Sequence, residues 1–283
     1  MVTASVKAVL PFGLGWKAEE IPPFPPIAVR ALQLVSDSES SLIELCNLIR
    51  ADPSFSTAVL RIANSPLVAF SKNITSMVQA AMLLGFRRLR NVVVTLGLKS
   101  YLNGGYSSIL VPCWRHSLAC ALIAQKASML CGYDKDFAFT AGIMHDLGRI
   151  AMASTLPSEY AVVVERRANR PYDVLPIERE IFGVDHCIAG RSLATLWGLP
   201  QAFHEVIATH HDLAHPGRGS STLLPPSCRM ADALGFSLYR YAISASYEDV
   251  LAHFPEPVRT GFPPQGEELS AEIEMKIKVY EEV

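Results

Sequence analysis

No stretch of this chain alternates apolar and polar residues over the length of a strand. Apolar residues recur instead at intervals of three and four, in runs opened by capping residues and closed by glycine or proline. Ser41-x-x-Glu44 reads as a capping box ahead of Leu45, Cys46 and Ile49. Asp52-Pro53 opens a second helix, with the carboxylate as N-cap and proline in the first turn, and Asn64-Ser65-Pro66 ends it. Ser76 starts a helix closed by Gly85, and another spans 87–102 with Val92, Val93 and Leu96 inward. Asn103-Gly104-Gly105 is a break suited to a subdomain boundary. Further helices are predicted over 114–130 and 136–145, from Leu156-Pro157 onward, from Asp185 to Trp197 and from Pro200 to His210-His211. Residues 212–226 read as a loop, 227–238 as a helix, and the proline-rich tail as loops between short helices. The pattern predicts an all-α protein.

Composition narrows the classes. The chain has 283 residues, enough for one large domain or two modest ones, and half of them are hydrophobic. No uninterrupted apolar stretch reaches bilayer length, because Gln125 and Lys126 interrupt the nearest one, so no membrane span is expected. Residues 1–16 do not read as a signal peptide. The net charge of −2 makes no electrostatic case for nucleic acid. Six cysteines without a Cys-x-x-Cys pair fit buried free thiols in a reducing cytoplasm and give no cysteine zinc site.

The chemistry concentrates in His145-Asp146, where an apolar helix meets Gly148. Seven of the eight histidines lie between His116 and His215. The helix carrying His116 and the one ending at His145 should run antiparallel, so the first turn of one can meet the last turn of the other. Asp232 lies among Met230, Ala231, Ala233 and Leu234, where an unpaired carboxylate is costly. Each residue alone fits a structural role: Asp146 and Asp185 as helix caps, His204 as a surface or packing residue, His215 as a solvated loop residue. Together His116, His145, Asp146 and Asp232 form a nitrogen- and oxygen-rich ligand set, and His186, His210 and His211 can supply a second. One or two divalent ions (iron, manganese or zinc) are the expected cofactor, with no organic group. A two-metal cage suits phosphoester hydrolysis.

At these residues the chain resembles the HD superfamily of metal-dependent phosphohydrolases, whose defining ligands occur in the order His116, His145-Asp146, Asp232. The match is closer to the HDOD family of HD-related output domains. Four blocks carry it: Arg50-Ala51-Asp52-Pro53 with Val59-Leu60-Arg61-Ile62-Ala63-Asn64-Ser65; Ala80-Ala81-Met82-Leu83-Leu84-Gly85-Phe86-Arg87-Arg88-Leu89-Arg90-Asn91; Gly142-Ile143-Met144-His145-Asp146-Leu147-Gly148-Arg149; and Phe182-Gly183-Val184-Asp185-His186 through Trp197-Gly198-Leu199-Pro200 to His210-His211. The resemblance implies an HD-like helical domain preceded by a smaller, family-specific helical subdomain. The boundaries expected are an N-terminal segment 1–21, the family subdomain 22–105, the HD-like subdomain 106–240 and a C-terminal helical extension 241–283.

The resemblance also implies a bacterial, cytoplasmic regulatory module, such as a response-regulator output, with a signalling protein as partner and without robust catalysis. The chain keeps seven ligand-type residues. It departs from the related cyclic-di-GMP phosphodiesterases, with Asp212-Leu213 and no Gly-Tyr-Pro after His210-His211, Arg149 where those carry lysine, and Pro112-Cys113 where they carry glutamate. The alternative is a metal-dependent phosphohydrolase acting on a nucleotide or cyclic nucleotide, with Arg149 contacting phosphate. A third reading is a structural adaptor whose histidines bond one another. The basic cluster Arg87, Arg88 and Arg90 fits a solvated helix face, with a nucleotide or an acidic partner as its other candidate ligands.

Overall fold

The computed structural model describes residues 21, 23–34, 39–68, 74–102, 109–168, 173–213, 218–239 and 245–283, which form fifteen α-helices, one 3-10 turn and no strand. The all-α expectation is met. The first four helices are α1 (Pro26–Gln33), α2 (Glu39–Arg50), α3 (Pro53–Ala63) and α4 (Met77–Leu102), the last broken at Gly85 (φ 69°, ψ 169°). Asp52 caps α3 as expected, accepting from the Ser54 and Phe55 N–H groups at 2.9 and 3.1 Å. The Ser41 capping box does not form. Glu39 already begins α2, and Glu44 turns outward to Arg30 of α1, 2.9 Å from its Nε. The expected break at 103–105 and the N-terminal segment before Ile21 lie outside the described residues.

Next come α5 (Leu110–Leu130), α6 (Lys135–Met144), α7 (Leu147–Thr155), α8 (Pro157–Ala168), α9 (Leu175–Phe182), α10 (His186–Leu196) and α11 (Gln201–Thr209). α5 is buried nearly all round, so it shows no polar stripe. It packs against α6, α7 and α12 (Leu224–Ala233). Two departures from the sequence reading concern the segment before α12. Residues 219–223 form the 3-10 turn, and Pro225-Pro226, expected in a loop, start the helix, because proline lacks only an N–H that a first turn leaves unused. The same helix ends at Ala233, short of the expected Leu238.

The tail holds α13 (Tyr247–Leu251), α14 (Glu256–Gly261) and the sixteen-residue α15 (Gly266–Glu281), longer than the short helices expected. α15 buries Leu269, Ile273 and Ile277 and is strapped to α5 by ion pairs of Arg115 with Glu274 and Glu281 and of Lys126 with Glu272. Near the other end of the chain, Phe24 stacks on Trp197 beyond α10 at 5.5 Å, and Tyr101 of α4 meets both rings.

Two close crossings fix the centre. A Cβ on Gly142 of α6 would lie 2.5 Å from Ala121 Cα of α5. A Cβ on Gly148 of α7 would lie 2.0 Å from the His186 carbonyl oxygen and 2.5 Å from the Gly190 nitrogen of α10. Backbone cannot yield as a side-chain tip can. We expect Gly148→Ala to lower the unfolding free energy by about 3 kcal/mol, the upper end for overpacking. Gly235→Ala, where φ is 91° but no atom lies within 4 Å, should cost only about 1 kcal/mol of backbone strain. Urea unfolding of the two variants checks the ranking.

Candidate metal centre

His145 is the last residue before the α6–α7 corner, and Asp146 is the N-cap residue of α7. Asp146 does not cap α7 with its side chain, whereas Asp185 does cap α10, accepting from the Ile188 N–H at 2.9 Å. The Asp146 carboxylate turns inward, fully buried. Of the two aspartates for which capping was the simple reading, one caps and the other faces the core.

Around Asp146 the imidazoles share one arrangement. His145 Nδ1–H donates to the Gly142 carbonyl at 2.6 Å, and His210 Nδ1–H to the Ile207 carbonyl at 2.9 Å. His186 Nδ1–H donates to Glu178 Oε2 at 2.6 Å. Acceptors on Nδ1 fix the tautomer, so each Nε2 carries a lone pair. Those three atoms converge: His186 Nε2 and His210 Nε2 stand 3.2 Å apart, at 3.4 and 3.3 Å from Asp146 Oδ1, while His145 Nε2 is 3.5 Å from Oδ2. His145 Nε2 and Asp146 Oδ1 are buried without a hydrogen-bond partner. Burial, with neighbouring imidazoles and, for His186 and His210, the Arg149 guanidinium, holds these three histidines below the usual range, so they are neutral at neutral pH. Facing lone pairs around an orphaned carboxylate oxygen repel one another unless a cation lies between them, and outward-bonded histidines are how proteins orient metal ligands.

His116, on the second turn of α5, completes the group. Its Nδ1 lies 3.1 Å from the Phe236 carbonyl and 3.3 Å from Asp232 Oδ1, and its Nε2 lies 3.7 Å from Asp146 Oδ2. The expected meeting of α5 and α6 therefore occurs, with the His116 and His145 rings 5.4 Å apart. Asp232 stands on the outer, Nδ1 side of His116 with its side chain 30% exposed, away from the converging Nε2 atoms. Burial opposes charge on both partners, yet the pairing wins: His116 is raised and Asp232 lowered. His211 Nδ1 lies 3.0 Å from Asp173, while its Nε2 is buried without a hydrogen-bond partner. Its ring lies 4.6 and 4.9 Å from those of His210 and His186, with which, as the sequence suggested, it forms a second group of donors within 4.8 Å of one another. His204 is a packing residue, 3.0 Å from the Leu199 carbonyl, and His215 lies outside the described residues. Arg87 and Arg88 are anchored, to Asp134 at 2.9 Å and to the Leu67 carbonyl at 2.7 Å.

Arg149, expected from the sequence as a phosphate contact, takes a different part, and Glu178 and Cys228 escaped the sequence reading as site residues. Arg149, buried, places Nη1 2.6 Å from Asp146 Oδ2 and its guanidinium 5.5 Å from the Tyr239 ring centre. This pair, with His145, holds the Asp146 carboxyl well below its ordinary range against its burial. Glu178 of α9 is wholly buried and accepts from His186 N–H (2.9 Å), His186 Nδ1–H and Tyr160 O–H (2.7 Å). Arg179 and Glu180 follow it in the sequence, so unlike Asp232 it carried no apolar setting to mark it. Cys228 of α12 points its Sγ at His116 Nε2, 3.4 Å away.

Residues 21–213 match the HDOD domain family, about two thirds of the chain. The chain belongs to the HDOD family. An HDOD domain protein of unknown function from Geobacter sulfurreducens has the same fold (TM-score 0.72, 23% identity, 92% of this chain and 91% of that one). So has a Shewanella amazonensis protein provisionally named a metal-dependent phosphohydrolase (TM-score 0.65, 16% identity, 92% of each chain). An uncharacterised Treponema pallidum protein is 22% identical over 201 residues, which are 70% of this chain and 39% of that longer protein. In this HDOD protein α12, with Cys228 and Asp232, lies beyond the matched residues. No helix among the described residues is long and apolar enough to cross a membrane.

Two outcomes are expected with metal chelated. Arg149→Met strands a buried carboxylate and should cost about 3–5 kcal/mol in chemical denaturation, much of it recovered in the Arg149→Met, Asp146→Asn double variant. Burial pushes Glu178 up from 4.5 to about 7. The folded state therefore keeps this proton longer than the unfolded chain. Its contribution to stability is full below about 4.5 and is lost as pH rises through about 7. The unfolding free energy of Glu178→Gln should fall less across that window than that of the parent.

Proposed function

We propose that this HDOD protein is a bacterial regulatory module that holds a divalent metal at its histidine–aspartate centre and acts through a signalling protein partner rather than by turnover. The observation that carries the metal is the convergence of lone-pair Nε2 atoms on the orphaned Asp146 oxygen. The charges agree. Arg149 answers Asp146 and His116 pairs with Asp232, so an ionised Glu178 leaves the centre net negative, a setting that favours a cation. His116, His145, Asp146, His186 and His210 would hold the ion, and when bound it would supply Lewis acidity and structural cross-linking. Asp232 supports the set from outside, and His211 stands with His186 and His210 as the donors a second ion would use.

The regulatory part rests on burial. His116, His145, Asp146, Arg149, His186 and His210 are all buried, so the reactive donors meet neither bulk water nor a substrate phosphate in this conformation. Arg149 is already committed to Asp146. The second reading, a phosphohydrolase acting on a nucleotide, draws on the partly exposed Asp232 edge of the centre and on the names given to structures of the same fold.

Elemental analysis of the purified protein should find stoichiometric divalent metal, absent from His145→Ala and His210→Ala. A screen of nucleotide monoesters, diesters and cyclic dinucleotides with added manganese or iron should show no turnover. Hydrolysis abolished by His145→Ala would replace the regulatory reading with the enzymatic one. A protein that takes up no metal under any reconstitution would remove the metal from both.

A further inference from the structure

Resting on that metal reading, we infer that α12 contributes a thiolate to the metal shell: Cys228, with His116 and His145, forms a site for a thiophilic divalent ion such as zinc. Cys228 and Asp232 lie four residues apart on α12, on one face of the helix. They meet opposite edges of the same imidazole. Asp232 Oδ1 is 3.3 Å from His116 Nδ1, and Cys228 Sγ is 3.4 Å from His116 Nε2, the edge that looks inward. Donor atoms of His116, His145 and Cys228 all lie within 4.8 Å of one another. Zinc bonds of about 2.0–2.1 Å to nitrogen and about 2.3 Å to sulfur put tetrahedral neighbours roughly 3.5 Å apart, as the Cys228–His116 separation has it.

His145 Nε2, fully buried and without a hydrogen-bond partner, is a further donor of this set. Asp146 Oδ2 stands 3.7 and 3.5 Å from the two imidazole nitrogens, near enough to balance charge. Asp232 then serves as a positioning residue, holding the Nδ1 side of His116 so that Nε2 faces the thiol. The assignment reverses the expectation that cysteines take no part in a metal site. It also selects among metals: a sulfur donor favours zinc or ferrous iron over manganese. On coordination the Cys228 thiol gives up its proton to solvent, as does His116 Nε2 when it carries one, so uptake releases protons and weakens as pH falls.

Cobalt(II) added to the metal-free full-length protein tests this, since a thiolate ligand gives an intense charge-transfer absorption that imidazole and carboxylate do not. The expected result is a stoichiometric charge-transfer band, absent from Cys228→Ser while ligand-field bands persist, and zinc affinity reduced at least about 10-fold in that variant. Cys228→Asp should keep cobalt without the band and raise manganese affinity relative to zinc. Circular dichroism confirms that each variant is folded. Cobalt bound by the parent without the band, or a band surviving in Cys228→Ser, overturns the thiolate and leaves the metal centre standing. No cobalt bound by the folded parent overturns both.

Discussion

The backbone contact between α7 and α10 is the constraint on which the centre depends. Glycine at 148 and at 190 lets the two helices meet without intervening side chains, a Cβ at 148 being impossible against the His186 carbonyl. That contact sets the first residue of α10, His186, beside the N-cap residue of α7, Asp146. Gly142 does the equivalent one corner earlier, drawing α6 onto α5 so that His145 reaches His116. The glycines on either side of the His145-Asp146 pair are therefore part of the site although they carry no ligand atom. An interior at crystal-like density then keeps the imidazoles in place without contributions from mobile loops.

A polar centre in such an interior runs against the usual economy of a helical core. Asp146, Glu178 and Arg149 are all buried, and apolar residues of similar volume would pack there at less desolvation cost. Each charge has its own compensation. Arg149 answers Asp146, while two N–H groups and the Tyr160 hydroxyl answer Glu178. What remains uncompensated at the centre includes one carboxylate oxygen, Asp146 Oδ1, two imidazole nitrogens, His145 Nε2 and His211 Nε2, and Arg149 Nε. Structural polar networks close on themselves, and this one leaves donor atoms over.

The helical architecture was legible because capping chemistry is local. Asp52-Pro53, Asp185 and the Leu156-Pro157 start all act where they stand in the sequence. The helices that were not foreseen, α7 and α9, are short. α7 is buried over most of its length, so no periodicity marks it, and its one start signal, Asp146 at the N-cap, makes no capping hydrogen bond. Proline misled in the opposite direction at 225 and 226, where a residue read as a helix breaker occupies a helix start. At the centre, residue types were legible but facing was not. Whether Asp232 or Cys228 lies on the inner edge of His116 depends on one turn of α12 and on the tilt of that helix against α5, and neither leaves a trace in residue order. Glu178 was hidden for a related reason: its role exists only through the His186 ring across the α9–α10 corner.

The donors of the proposed shell are spread over α5, the α6–α7 corner, α10 and the end of α11, with α12 against them. An ion shared by such donors is a cross-link among helices that otherwise meet through apolar packing. Its binding free energy adds to the stability of the folded arrangement and to no other. Occupancy would therefore set how firmly α10 and α12 are held to α5. Helix position can reach a partner protein while the donors themselves stay buried. Burial of the centre, which argues against turnover, is the property that lets a bound ion act on the fold as a whole.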